Sequence, residues 1–358
     1  MAAGFHCLKI AEIRRETPDA VSLKFDLPAD LAEIFAFQAG QHLTVRAQIG
    51  GEEVRRNYSV CVAPHEGELR IAVKEIAGGI FSGFANRALE SGAALEVMAP
   101  HGAFTWAFAP DARRRYVAFA GGSGITPILS LLKTALRVEP ESRFTLVYGN
   151  RSAAQVMFLE ELAGLKNRFM DRLEVFHFLE DEEDETELFN GRLDGARVEA
   201  VLSSLVRAED IDAFFVCGPG PMMDAVEAGL KARGVPPGRI LIERFITGPL
   251  SAAQTAAARR LETQARGRQM TVILDGRRSR IAFDADKGSI LESARAAGIP
   301  APFACKGGVC ATCRAKVVAG KVEMKVNYAL TPAELEQGYV LTCQAAPVGD
   351  GVILDYDG

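Results

Sequence analysis

The order of apolar and polar residues divides the chain into stretches of different period. Over residues 5–108, short alternating runs recur: Val21-Ser-Leu-Lys-Phe25, His42-Leu-Thr-Val-Arg46 and Leu69-Arg-Ile-Ala-Val73. Proline and glycine turn signals separate them, and several short strands at this spacing predict a barrel or a sandwich. From about residue 113 the pattern changes. Apolar runs of strand length (Tyr116-Val-Ala-Phe-Ala120, Phe144-Thr-Leu-Val-Tyr148, Leu173-Glu-Val-Phe-His-Phe178, Ala213-Phe-Phe-Val-Cys217) alternate with amphipathic stretches over 125–137, 155–165 and 221–233. That alternation predicts a doubly wound α/β domain with a parallel sheet. Residues 247–268 are rich in Ala, Thr, Gln and Arg and read as a linker, helical in part. A compact third domain starts near Gln269 with a strand pair around the turn Asp275-Gly276. The expected division is 1–110, 111–246, a linker over 247–268, and 269–358.

Composition narrows the class. Of 358 residues, nearly half are apolar and about a quarter charged, which is ordinary for globular domains with real cores. The net charge of −5 and the shortness of the basic runs argue against a nucleic-acid binder. The N-terminal residues lack a charged segment followed by an apolar one, and no apolar stretch approaches the ~20 residues that span a bilayer. No membrane association and a cytoplasmic location are therefore expected. The acidic run Glu180–Glu187 reads as a solvated loop.

The seven cysteines carry more information. Three are scattered (Cys7, Cys61, Cys217), while Cys305, Cys310, Cys313 and Cys343 fall in the third domain. An odd number without a secretion signal argues against a disulfide framework. The spacing C-x4-C-x2-C with a distant fourth cysteine is that of plant-type [2Fe–2S] ligation. Three thiolates from one tight loop can wrap a small cluster, and a fourth from elsewhere closes it. Gly307 and Gly308 allow the loop to curl and aim amides at the sulfurs. The alternative is a four-cysteine zinc site, whose ligands usually come as two CxxC pairs.

Glycine-rich turns supply further candidates. Gly121-Gly-Ser-Gly-Ile-Thr-Pro127 lies between a strand and a helix, where a phosphate-binding turn belongs. Pro127 replaces the third glycine of G-x-G-x-x-G, so Gly122, Gly124 and Thr126 suit a nicotinamide-binding family other than the Rossmann dehydrogenases. Tyr148-Gly-Asn-Arg151-Ser152 follows the next strand, where an adenosine ribose would lie. An acidic residue there would favour NADH. Arg151 with Ser152 suits a 2′-phosphate, so NADPH is expected, the alternative being a solvated loop cation. Cys217-Gly218-Pro-Gly-Pro-Met-Met223 sits at another strand's C-terminal end, where ligands bind in open α/β sheets, although a lone cysteine is commonly a core thiol. In the first domain, Arg56-Asn-Tyr58-Ser59 is read at the start of a strand. Its arginine can neutralise a flavin phosphate, its ring can cover an isoalloxazine and its hydroxyl can bond the polar edge. Gly78-Gly79-Ile-Phe-Ser82 precedes a helical stretch and suits a pyrophosphate, or serves as an ordinary helix cap. Glu243-Arg-Phe245 closes the second domain.

Taken in order, R-x-Y-S, G-x-x-S, G-x-G-x-x-P, C-G-P-x-x-M and E-x-F resemble the ferredoxin–NADP reductase superfamily, and the sequence around the C-terminal cysteines resembles plant-type ferredoxins. The resemblance implies an antiparallel β-barrel flavin domain, the α/β nucleotide domain and an α+β β-grasp ferredoxin domain. It also implies that Arg56, Tyr58 and Ser59 hold the flavin, with Gly79 to Ser82 near its pyrophosphate. Gly122, Gly124 and Thr126 would bind the nicotinamide nucleotide, and Cys217, with Glu243 close by, would assist hydride transfer. The domain order is similar to that of reductase components of multicomponent oxygenases. Within that group, Arg55-Arg-Asn-Tyr-Ser59, Asn327-Tyr-Ala-Leu330 and Gly338-Tyr-Val-Leu-Thr-Cys-Gln344 resemble a reductase that serves a di-iron oxygenase. A relative of the same domain order uses FMN, whereas the G-x-x-S turn favours FAD. The expected chemistry is electron transfer from NADPH through FAD and a [2Fe–2S] cluster to a partner. A different acceptor, such as a ring-hydroxylating dioxygenase or a hybrid-cluster protein, and a non-catalytic zinc scaffold are the alternatives.

Overall fold

The computed structural model of the chain describes residues 4–245 and 252–358. The chain divides after Phe245 into two compact units. The first opens with six antiparallel strands: β1 (Phe5–Thr17), β2 (Ala20–Asp26), β3 (His42–Ile49), β4 (Glu52–Ser59), β5 (Leu69–Lys74) and β6 (Ala94–Met98). Their order is β4-β3-β6-β1-β2-β5. The two edges meet where Val60 bridges Ile71 and the Cys61 amide donates to the Arg70 carbonyl at 3.0 Å, which curls the sheet into a barrel. Its interior holds Leu8, Ile10, Leu23, Leu43, Val45, Ile71, Val73 and Val97. Helix α1 (Ile80–Arg87) adds Phe81 and Ala85 to that core.

Arg56-Asn-Tyr58-Ser59 does not open a strand, as the sequence suggested, but closes β4. The reason lies in the pairing: β3 and β4 run in register from His42 opposite Ser59 to Ile49 opposite Glu52. The first half of β4 is strongly charged and carries little apolar alternation, so its partner strand rather than its own pattern defines it.

The same unit continues with β7 (Arg115–Gly121), α2 (Ile125–Val138), β8 (Arg143–Asn150), α3 (Leu159–Arg168), β9 (Leu173–Leu179), α4 (Gly195–Ser204), β10 (Ala213–Cys217), α5 (Gly220–Ala232) and β11 (Ile240–Glu243). The five strands are parallel in the order β11-β10-β7-β8-β9. The order reverses at β7, which lies between β8 and β10, so the crevice beyond β7 and β10 is the topological switch point where such sheets bind ligands. Buried on both faces, β7 is a continuous apolar run. The barrel and the parallel sheet share one core, in which Ala39, Cys61, Ala72 and Phe104 join residues of α2. Buried Lys133 of α2 fixes the seam: its ammonium lies 2.6 Å from both Glu66 Oε2 and Glu161 Oε1. Ser130 Oγ donates to the Val62 carbonyl at 2.6 Å.

The second unit contains α6 (Ala252–Ala265), β12 (Gln269–Leu274), β13 (Arg277–Ala282), α7 (Ile290–Ala296), β14 (Arg314–Ala319), β15 (Val322–Met324), α8 (Pro332–Glu336), β16 (Tyr339–Leu341), β17 (Ala345–Pro347) and β18 (Val352–Asp355). A mixed sheet of order β13-β12-β18-β14-β16 carries α7, and β15 pairs with β17. The β12–β13 hairpin turns on Asp275 and Gly276, both left-handed at φ 51° and 71°, as a two-residue type I′ turn requires. Residues 247–251 of the expected linker lie outside the described residues. The rest of it is largely helix, because Leu261 and Ala265, four positions apart on α6, enter the core built by Met270 and Phe283.

Candidate functional site

In the barrel, Arg56 and Tyr58 stand two residues apart on β4 and so share a face. Arg56 is exposed, whereas Tyr58 is half-buried with its ring centroid 5.4 Å from that of Phe81. Burial pushes the Tyr58 hydroxyl well above its ordinary range, so it stays a neutral donor. The turn before α1 is folded by Ser82, whose Oγ accepts from the Ile76 amide at 3.2 Å and donates to the Gly79 carbonyl at 3.3 Å. A Cβ at Gly79 would come within 2.3 Å of that hydroxyl. Ser82 thus shapes the turn, leaving the first amides of α1 to a ligand, since the helix itself cannot satisfy them.

Across the switch point, the Gly121–Gly124 turn packs on the turn that follows Cys217. A Cβ on Gly124 would lie 2.0 Å from the Cys217 carbonyl oxygen, and one on Gly218 would lie 2.8 Å from the Gly121 amide nitrogen. These glycines permit two strand ends to touch. Gly122 differs: it is left-handed at φ 51°, a Cβ there would meet nothing within 4 Å, and its carbonyl accepts from Tyr148 Oη at 3.0 Å. Thr126 is buried and its hydroxyl closes the same turn on the Ser123 carbonyl at 3.0 Å. After β8, Arg151 is exposed and Ser152 half-buried. The acidic run is exposed from Asp181 to Glu187, and there Glu182 Oε1 accepts from the Ala153 amide at 2.7 Å.

Cys217 and Glu243 are partners in the parallel register of β10 and β11. Cys217 is 0 % exposed, and burial, helped by the charge of Glu243, pushes its thiol far up; it remains a protonated thiol, not a nucleophilic thiolate. Ser59 Oγ donates to Glu243 Oε2 at 3.0 Å, which joins the barrel to this strand end. The structure therefore brings Ser59, Cys217 and Glu243 together.

It also adds a residue that sequence reasoning missed. His42 pairs with Ser59 across β3 and β4, and its Nδ1 lies 3.5 Å from Glu243 Oε1. Its ring meets that of His101 edge-on, with centroids 4.3 Å apart, and its buried Nε2 has no partner among the described residues. His101 is pushed down to about 4 by burial and then by His42, so it is neutral at physiological pH. The signal was present in His42-Leu-Thr-Val-Arg46, where histidine and threonine occupy alternate positions of a strand buried from His42 to Val45.

The four clustered cysteines converge in the second unit. Cys305 contacts Cys310, and Cys313 contacts Cys343. Within each pair one thiol is driven towards thiolate by the hydrogen bond of the other: Cys310 is drawn down to about 5 by Cys305, and Cys313 is drawn down by Cys343. Two touching sulfurs cannot both be anionic without a cation between them. The two pairs would together supply the four thiolates that a [2Fe–2S] cluster takes. The Gly307 amide donates to Cys305 Sγ at 3.3 Å, and the Gly308 amide acts on Cys343. Lys306 and Ala311 hold left-handed conformations at φ 56° and 52°, backbone strain of the kind that shapes a loop around a ligand. The cysteine cage thus fits a [2Fe–2S] cluster.

A barrel that offers an aromatic face and free helix amides, a parallel sheet with an open switch point, and a four-thiol cage together define a class: flavin- and nicotinamide-dependent iron–sulfur oxidoreductases. Residues 7–106 match the oxidoreductase FAD-binding domain, 119–228 the oxidoreductase NAD-binding domain, and 272–348 the 2Fe-2S iron-sulfur cluster binding domain. The chain is 44% identical to a subunit of the 1,2-phenylacetyl-CoA epoxidase of Escherichia coli (strain K12), over 99% of this chain and 98% of that one. It is 32% identical to the ferredoxin reductase component of 3-ketosteroid-9-alpha-monooxygenase from Rhodococcus rhodochrous, over 98% and 96%. Among solved structures, phthalate dioxygenase reductase superposes with a TM-score of 0.59 at 25% identity, covering 98% of both chains. The chain belongs to this family of three-domain reductases, and it uses FAD, a [2Fe–2S] cluster and a nicotinamide nucleotide. No described helix is long and apolar enough to cross a membrane.

Proposed function

We propose that this chain is the reductase component of a phenylacetyl-CoA epoxidase, taking electrons from NADPH and delivering them to a di-iron oxygenase component in aerobic phenylacetate degradation. The observation that carries this reading is the 44% identity, across essentially both full lengths, to a component of that epoxidase. When bound, the flavin converts the two-electron hydride into single electrons that a [2Fe–2S] cluster can pass on.

In this reading the residues have distinct tasks. Tyr58 covers the flavin ring and Ser59 bonds its polar edge. Arg56 neutralises phosphate, and the turn from Gly79 to Ser82 offers amides to the pyrophosphate. The second phosphate of that group is what favours FAD over FMN. Gly122, Gly124, Thr126 and Gly218 form the nucleotide crevice, and Cys217 packs as a neutral thiol against the nicotinamide. Glu243, held between Ser59 and His42, carries the negative charge at the same point. Cys305, Cys310, Cys313 and Cys343 ligate the cluster. The domain limits that go with these tasks are 1–110, 111–246 and 269–358 joined by 247–268, in a cytoplasmic protein. NADPH is favoured by exposed Arg151 beside Ser152 on the loop after β8.

The test combines this protein with the oxygenase components of phenylacetyl-CoA epoxidase and, separately, with the oxygenase component of a 3-ketosteroid monooxygenase, the second reading that the 32% identity supports. NADPH oxidation coupled to epoxidation of phenylacetyl-CoA is expected; turnover only with the ketosteroid system would overturn the assignment. Arg151→Ala should raise KM for NADPH roughly 10- to 100-fold, the worth of a charge-assisted contact, and leave KM for NADH nearly unchanged. An equal effect on both nucleotides would remove the argument for NADPH.

A further inference from the structure

The fourth cysteine is followed by a side chain whose contacts the cluster motif does not explain. Gln344 is only 9 % exposed, and its carboxamide lies among the cysteine loop's own groups. Its Nε2 donates to the Lys306 carbonyl at 2.7 Å and lies 3.7 Å from Cys343 Sγ, within reach of an N–H···S hydrogen bond. The Lys306 carbonyl fixes which way the amide faces, since an amide oxygen turned towards it would set two acceptors against each other. With one N–H spent on that carbonyl, the other is available to the sulfur.

Both contacts fall on chemically sensitive points. Lys306 is one of the two non-glycine residues of the loop held at positive φ, so a fixed carbonyl there stabilises a conformation that the backbone alone disfavours. Gly308 is left-handed at φ 80°, and a Cβ on it would come within 3.0 Å of Gln344 Cγ and 3.3 Å of Val326 Cγ2. The loop is therefore moulded over the glutamine stem. The Gln344 carbonyl in turn accepts from the Lys325 amide at 2.8 Å, which anchors the residue from behind. An N–H dipole directed at a ligand sulfur stabilises the extra negative charge of the reduced cluster, and such bonds are among the features that set its potential.

We propose that Gln344 is a positioning and tuning residue for the iron–sulfur centre: its amide ties the Cys305 loop to the segment bearing Cys343 and raises the reduction potential by donating to Cys343 Sγ. This rests on the reading that the four cysteines hold the cluster. Gln344→Leu keeps most of the side-chain volume and removes both donors without adding charge. In the purified holoprotein, the cluster of this variant is expected to assemble with a roughly tenfold smaller equilibrium constant for its reduction. For a one-electron couple that is about 59 mV more negative. Redox titration followed by the paramagnetic resonance of the reduced cluster reads this directly. A variant with an intact cluster and the parental potential would overturn the proposal. Should the variant lose its cluster, the parent decides: with 15N in glutamine side chains, pulsed resonance of its reduced cluster should show coupling to an amide nitrogen. No such coupling would also overturn the proposal. A parent protein with no [2Fe–2S] signal would instead refute the cysteine assignment, a separate failure.

Discussion

The pair His42–His101 makes a quantitative demand on stability. His101 is buried against His42 with its Nδ1 3.1 Å from the Ala99 carbonyl and its Nε2 3.5 Å from Thr44 Oγ1. Burial, then the neighbouring His42, lowers it from 6.5 to about 4, against the pull of the Ala99 carbonyl. The unfolded chain takes up a proton at His101 below its ordinary pKa, while the folded chain resists until about 4. The contribution is thus fully present above pH 6.5 and lost as pH falls towards 4. The lowering corresponds to about 3 kcal/mol, an order-of-magnitude figure for a largely buried ring. Several carboxylates held down by arginines, such as Glu12 beside Arg70, lose stability over part of the same acid range, so the comparison must be between variants. His101→Gln removes the titrating ring. Urea unfolding of the holoprotein, followed by the fluorescence of released FAD, should show the parent ahead at pH 7.5. That lead should shrink by about 3 kcal/mol between pH 7 and pH 4. A gap that stays constant across this range would refute the argument that His101 is held neutral.

Glu139 is a fully buried carboxylate that accepts from Tyr116 Oη at 2.8 Å, Ser142 Oγ at 2.6 Å and the Ala109 amide at 3.0 Å, with Arg114 Nη1 at 3.2 Å. Glu139→Ala should cost about 3 kcal/mol or more and lower Tm by on the order of 10 °C, measured by calorimetry of the larger unit's transition. Cys217→Ser places a hydroxyl in a fully buried position and should slow hydride transfer about 10- to 100-fold in anaerobic stopped flow, with a smaller change in nucleotide affinity. Cys310→Ser should abolish reduction of a one-electron protein acceptor while sparing reduction of a small artificial acceptor by the flavin; loss of both would indicate that the units fail together.

Much of this was legible in the sequence, for identifiable reasons. The parallel strands are buried on both faces, so β7, β8 and β10 read as nearly unbroken apolar runs, and the glycine turns between strand and helix mark their own places. The cysteine spacing is equally local. What the sequence hid depends on contacts distant along the chain. Charged β4 is defined by its pairing with β3, and the packing of the helical part of the expected linker, α6, is defined by Met270 and Phe283. Ser59 and Glu243 are 184 positions apart, and His42 reaches the same carboxylate from a third strand. Gly124 and Gly218 illustrate a subtler limit. Their motif suggests a nucleotide, but the structure shows that the contact of two turns already requires them to lack a side chain.

One chain is expected to carry electrons from a nicotinamide nucleotide through FAD to a [2Fe–2S] cluster. Anaerobic titration with NADPH, followed by visible absorption, tests it most directly. Since FAD takes two electrons and the cluster one, bleaching of both centres should end near about 1.5 equivalents per chain, or about three electrons. Titration that ends at about one equivalent with the cluster still oxidised under excess NADPH would mean that the flavin does not reduce the cluster.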